Sequence, residues 1–326
     1  MEKKGLDFNF FIGVFLIFGI LTWFNSTQIE IDSESQNTIS LNDISKDQST
    51  LSSKFNEQKK TDSISLELSK EDVQLYELSN NLLNIKISNY GASIEEVVLK
   101  DYYTYDSLSL QLIDDLNFNF SFFIKDVLLN TKDIVFTDII QNKNTLSFYF
   151  KDIENNSIAF IYKLLPDSYI LNFEVLTENG SSYIEPDKFL WSQKINQLEK
   201  NIDNERNSTT INYSVNNKSS KQLSLMKDVE KNIESPIWIA NKQQFFSTII
   251  YSENAFKTAS LTTFKPEDNR YVKSLNSEFT LNYDNQENQY LFDIYLLPNK
   301  YSLLSSFDKG FESLVPLGWG IFGWVN

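Results

Sequence analysis

Residues 146–176 read "LSFYFKDIENNSIAFIYKLLPDSYILNFEVL", and the punctuation of this stretch decides the fold. Three apolar runs, "LSFYFKD", "SIAFIYKLL" and "SYILNFEVL", follow one another closely. The separators are "ENN" at Glu154–Asn156 and "PD" at Pro166–Asp167, both turn formers. Short runs with a period near two fit half-buried strands. Strands joined by such brief turns predict an antiparallel meander.

The same pattern continues in both directions. Upstream, "LLNIKIS" places Leu83, Ile85 and Ile87 on one face, and "NYG" at Asn89–Gly91 turns the chain into "SIEEVVL". Downstream come "SPIWIA", "QQFFSTIIY", "KTASLTTF", "SEFTLNY" and "QYLFDIYLL". Ten such runs predict an all-β fold, a large antiparallel β-sandwich rather than a small barrel. No long amphipathic helices separate them, which excludes a doubly wound α/β fold. The polar stretch Asn196–Thr210, "NQLEKNIDNERNSTT", reads as an excursion from the sheets.

The two ends are made of different material. "FNFFIGVFLIFGILTWFNSTQ", Phe8–Gln28, carries no charge. As a helix it would cover roughly 31 Å, against ~30 Å of hydrocarbon in a bilayer. Lys3 and Lys4 precede it, Glu30, Asp32 and Glu34 follow it, and Trp23 sits where an interfacial aromatic would sit. Residues 1–28 are therefore read as an uncleaved transmembrane anchor with the rest of the chain outside the cytoplasm. A cleaved signal peptide would want a shorter apolar region and a small-residue cleavage site, and the exit here is "TWFNSTQ". Residues 29–70, rich in Ser, Asn, Asp and Gln, read as a flexible polar linker, because they cannot bury enough surface to offset their ordering entropy. Residues 71–300 form the β domain. Residues 301–326 read as a closing helix and a membrane-interface segment, the uncharged "VPLGWGIFGWVN" carrying Trp319 and Trp324.

Composition removes several kinds of chemistry. The 326 residues include 44 acidic and 29 basic side chains, a formal net charge of −15, which argues against nucleic acid as a partner. There is no His and no Cys. That excludes histidine-based triads, thiol nucleophiles, disulfides and the usual zinc ligands. The carboxylate pairs Glu95–Glu96 and Asp114–Asp115 are sequence neighbours, and adjacent strand residues point to opposite faces, so neither pair shares a substrate easily. "DIENN", Asp152–Asn156, lacks the glycine and distal Glu of an EF-hand and reads as a turn. The 26 Phe and 16 Tyr read as strand-borne core rather than a sugar-stacking surface. The expectation is a protein without catalytic, metal or cofactor residues.

Several ordered segments carry a resemblance. "ELSNNLLNIKISNYGASIEEVVLKDYYTYD" (Glu77–Asp106), "PIWIANKQQFFSTIIY" (Pro236–Tyr251) and "YLFDIYLLPNKYSLLSSFDKGFESLVPLGWGIFGWVN" (Tyr290–Asn326) resemble the large periplasmic domain of YidC-type membrane protein insertases of Gram-negative bacteria. The resemblance implies a mutarotase-like super-sandwich, an inner-membrane location, and a docking or scaffold role in membrane-protein insertion. It also implies membrane lipid, nascent membrane proteins and translocon components as partners. The insertase groove of the family lies in membrane spans that have no counterpart here, so the chain reads as a fragment or a truncated relative. The mutarotase likeness leaves one alternative open, a non-catalytic carbohydrate- or peptide-binding sandwich, since mutarotase catalysis uses histidines.

Overall fold

A computed structural model of the chain describes residues 73–180, 184–216, 219–282 and 288–315. The anchor, the linker and the last eleven residues therefore lie outside the described part. Strands β1 (Leu75–Ser79), β2 (Leu83–Ser88), β3 (Ile94–Tyr103) and β4 (Ser109–Ile113) make a four-stranded sheet in chain order. Next come the hairpin β5 (Leu116–Ile124) and β6 (Val127–Asn130), then β7 (Asp138–Gln141), β8 (Thr145–Lys151), β9 (Ser157–Leu164) and β10 (Ile170–Glu178). After β11 (Ile184–Asn196) a short helix α1 (Ile202–Arg206) precedes β12 (Thr210–Ser214), β13 (Lys221–Gln222) and β14 (Val229–Glu234). The chain closes with β15 (Trp238–Lys242), β16 (Phe246–Tyr251), β17 (Phe256–Phe264), β18 (Tyr271–Leu281), β19 (Gln289–Pro298) and helix α2 (Tyr301–Ser305).

A six-stranded sheet has the order β14-β17-β18-β11-β5-β6, and a nine-stranded sheet the order β13-β12-β15-β16-β19-β10-β9-β8-β7. Every strand pairing is antiparallel. The expected all-β antiparallel sandwich is thus what the chain forms, and its three quoted runs are β8, β9 and β10. No helix among the described residues is long and apolar enough to cross a membrane.

An aromatic layer joins the two large sheets. Phe120 on β5 stacks on Phe189 of β11 at 4.2 Å between ring centres. It also reaches across to Phe160 at 5.2 Å, Phe173 at 5.7 Å and Phe292 at 6.0 Å on the nine-stranded sheet. These offset and edge-on contacts are the arrangements that ring quadrupoles favour. A buried polar chain ties all three sheets together. Gln193 of β11 donates through Nε2 to the Leu112 carbonyl of β4 at 2.9 Å, and Asn241 of β15 donates to Gln193 Oε1 at 3.1 Å.

Turn chemistry fixes the connections. Lys125 and Asp126 (φ 50° and 63°) form the two-residue link of the β5–β6 hairpin, whose mirror-image turn matches the strand twist. In the β8–β9 loop the Asp152 carboxylate accepts from the backbone N–H of Glu154 (2.8 Å) and Asn156 (2.9 Å) and from Asn156 Nδ2 (2.7 Å). That is a closed Asx turn, with the carboxylate turned inward on its own loop. Gly180 packs so closely on this loop that a Cβ there would lie 2.2 Å from the Glu154 carbonyl oxygen.

The polar stretch 196–210 leaves the sheets, as expected, but it is pinned at several points. Asn201 caps α1 by accepting from the N–H groups of Asp203 and Asn204. Arg206 donates to the carbonyls of Tyr271 and Val272, buried Lys273 donates to those of Thr209 (2.7 Å) and Leu225 (2.9 Å), and Lys242 donates to that of Ser208. Glu205 is 1% exposed, and its carboxylate accepts from the N–H groups of Leu198 and Glu199.

Burial raises the Glu205 pKa from 4.5 to about 7, with the charge of Glu199 adding to the effect and the backbone donors opposing it. A carboxyl whose pKa is higher folded than unfolded favours the folded state most when it is protonated. Its stabilisation is complete below about pH 4.5 and is lost as pH rises through about 7, by up to about 3 kcal/mol. Glu205→Gln keeps the acceptor oxygen and removes the titration. The denaturation midpoint of that variant is expected to vary less between pH 5 and pH 8 (roughly the window set by the shift) than that of the wild type. Equal slopes would mean that Glu205 is solvated.

Candidate functional site

The outer face of the nine-stranded sheet is covered where β15, β16 and β19 lie side by side. Trp238, Ala240, Ile249, Tyr251, Tyr295 and Leu297 point away from the main core and are buried nonetheless. What covers them is the segment after β19: α2 with Leu304, then a 3-10 turn at Phe311–Leu314 with Phe311 and Leu314. Strands buried on both faces lose polar alternation. That is why these three read "IWIA", "STIIY" and "DIYLLP" rather than alternating apolar with charged residues.

Three ring contacts set the geometry of this cap. Phe311 sits edge-on to Trp238 at 5.4 Å and to Tyr295 at 4.8 Å, and Phe307 meets Tyr295 at 4.9 Å. The Trp238 indole N–H donates to the Lys309 carbonyl at 3.1 Å, so the one polar atom of this fully buried side chain is satisfied by the cap itself. Lys309 Nζ lies 3.4 Å from the centre of the Tyr251 ring, a cation–π contact. Gly310 adopts φ 74°, the left-handed conformation that turns the chain from the helix toward Phe311. Ser313 Oγ then bonds Ser220 Oγ at 2.8 Å. Burial, reinforced by Asp293, pushes the Tyr295 hydroxyl well above its usual pKa, so it stays neutral. The arrangement delivers the chain from the last strand to Val315 along a fixed, apolar track.

An open cleft of about 400 Å³ adjoins the cap, lined by Tyr251, Glu253, Asn254, Asn282, Asp293 and Lys309 among others. Several of its polar groups already have protein partners. The Tyr251 hydroxyl donates to Glu253 at 3.1 Å, Asp293 accepts from Asn172 at 2.7 Å, and Asn282 donates to the Asn254 carbonyl at 2.6 Å. Lys309 already occupies one face of the Tyr251 ring. The cleft therefore gives the carbohydrate-binding alternative no specific support.

The carboxylate pairs do not converge. Glu96 pairs with Lys86 at 2.8 Å and accepts from Gln111, whereas Glu95, the residue before it on β3, is exposed and takes a hydrogen bond from Ser93. Asp114 accepts from Asn196, and Asp115 from Lys194 (2.9 Å) and Tyr271 (3.1 Å). Among the described residues no group of three or more acidic side chains could hold a metal ion. The three interfacial tryptophans expected from the sequence, Trp23, Trp319 and Trp324, lie outside the described residues. The tryptophan that organises the cap is Trp238, which the sequence reading placed only within a strand.

The geometry defines a class: an antiparallel β-sandwich module whose last strand passes the chain to a docked helical cap. Residues 75–325 match the family described as the YidC periplasmic domain, and the chain belongs to that family. It is 33% identical over 267 residues to the membrane protein insertase YidC of Parabacteroides distasonis, covering 76% of this chain and 42% of that protein. It is 32% identical over 270 residues to the membrane protein insertase YidC of Phocaeicola vulgatus, covering 78% and 44%. The chain thus spans less than half the length of these relatives. Among solved structures it is similar to a galactose mutarotase-like protein from Lactobacillus casei, with 11% identity, TM-score 0.48, and 69% and 100% of the two chains covered. A galactose mutarotase related enzyme from Lactobacillus acidophilus gives 13% identity, TM-score 0.45, and coverage of 69% and 97%.

Proposed function

We propose that this chain is the periplasmic docking and scaffold part of a membrane protein insertase, acting on nascent inner-membrane proteins together with translocon components. The observation that carries the reading is the family match over residues 75–325, which ends beyond a cap that leads the chain toward an uncharged, Trp-bearing segment. In this reading residues 1–28 hold the chain in the inner membrane by a single span and residues 29–70 tether the domain at residues 71–300. Residues 301–326 meet the outer leaflet, and Trp23, Trp319 and Trp324 rest in the headgroup region. The domain's part is steric and adhesive: it places partners beside the insertion site and carries out no covalent step.

A chimera tests this. The chain replaces the matching part of a relative's insertase in cells depleted of their own enzyme. Growth and membrane insertion of a reporter protein are expected, and Phe311→Ala with Leu314→Ala in the same chimera should reduce both. A chimera that accumulates in the membrane yet supports neither would contradict the scaffold reading.

A further inference from the structure

A second hollow, of about 340 Å³, opens where the edges of the two large sheets meet, between β12, β13 and β14. Its floor includes the ring of Tyr213, which is buried in the main core. Lys221 is the direct cross-strand neighbour of Tyr213, so both side chains stand on one face of the sheet. Lys231 comes from β14 in the opposing sheet and holds its Nζ 5.5 Å from the centre of the same ring. Six ion pairs occur among the described residues, and neither lysine takes part in any of them. In a chain of net charge −15, two lysines outside those ion pairs lining one hollow run against the general charge.

We propose that this hollow binds a phosphate-bearing anion, with Lys221 and Lys231 as its cationic contacts. An ammonium group binds phosphate as a point charge with three donors. Glu234 also lines the hollow, so two lysines against one glutamate leave a single positive charge there. That balance suits a singly charged phosphodiester better than a dianion. The position fits as well. Ser220, the residue before Lys221, bonds Ser313 at the end of the cap, two residues before the last described residue, Val315, and the uncharged "PLGWGIFGWVN" follows. A lipid headgroup and a soluble phosphate share this chemistry. The proposal is independent of the insertase reading, because a soluble anion needs neither bilayer nor client.

The test uses the full chain in a neutral detergent at constant ionic strength. The probes are inorganic phosphate and dihexanoyl phosphatidylglycerol, titrated by calorimetry. Wild type should bind at least one of them, and Lys221→Gln with Lys231→Gln should weaken that binding about tenfold or more, since one hydrogen bond to a charged group accounts for about that factor. Lys221→Arg with Lys231→Arg should largely retain it. An unchanged melting temperature without anion shows that the glutamine variant is folded. Variant-sensitive binding of phosphatidylglycerol alone marks a lipid diester as the ligand, and of inorganic phosphate alone a soluble source. Binding of neither probe, or equal binding by wild type and the glutamine variant, overturns the proposal.

Discussion

Trp238→Ala is expected to lower stability by about 3–5 kcal/mol, the range for deleting a fully buried large aromatic, and to free the cap before the sandwich unfolds. The ring is 0% exposed, packs against Phe311, and donates its N–H to the Lys309 carbonyl. Alanine removes all three contributions and leaves a cavity between sheet and cap. The apolar cluster beneath the cap is separate from the main core, although Tyr169 packs against both. Local opening can therefore precede global unfolding. Trypsin reports it directly, because Lys309 lies in the docked segment. Cleavage after Lys309 should be slow in the wild type and fast in Trp238→Ala under conditions where the β-sheet far-UV signal persists. Unchanged cleavage would mean that the cap is held by something other than this ring.

Phe120→Ala should act on the whole domain. Phe120 is completely buried and touches Phe118, Phe122 and Phe189 in its own sheet and Phe160, Phe173 and Phe292 in the other. It is the ring through which the two sheets hold each other. Its loss is expected to cost about 3–5 kcal/mol and to lower the melting temperature by roughly 10 °C for a domain of this size. Unlike Trp238→Ala, it should leave cleavage after Lys309 coupled to the main transition. Trp191, in edge contact with Phe118 at 5.9 Å, supplies the fluorescence probe. A variant that keeps the wild-type midpoint would show that the sheets are held together elsewhere.

The contrast between these two residues marks what the sequence discloses and what it hides. Period-two runs broken by "ENN" and "PD" appear as β8, β9 and β10, and "NYG" joins β2 to β3, because turn chemistry and face alternation are local properties. Strand β5 also alternates, with Phe118, Phe120 and Phe122 inward and Asn119 and Ser121 between them, and this signal was present to be read. Strands β6, β7 and β13 have at most four residues each, too few for a period to register. The buried Glu205 gave no warning inside a polar run, since the excursion is closed by Lys242 and Lys273 reaching in from distant strands and by Arg206 reaching out to Tyr271 and Val272. The cap was hidden for a related reason. "SPIWIA" and "QYLFDIYLL" declare strands, and only their unbroken apolarity hints that a second layer covers the outer face.

The central claim is that the β domain works outside the cytoplasm with its cap leading to the membrane. The absence of cysteine makes the decisive measurement simple, because a single cysteine placed at exposed Ser305 has no competitor. Cells producing Ser305→Cys, with the outer membrane permeabilised and the inner membrane intact, are treated with a membrane-impermeant maleimide. The account predicts labelling to the same extent as after full lysis. Labelling only after the inner membrane is broken would place the domain in the cytoplasm and contradict it.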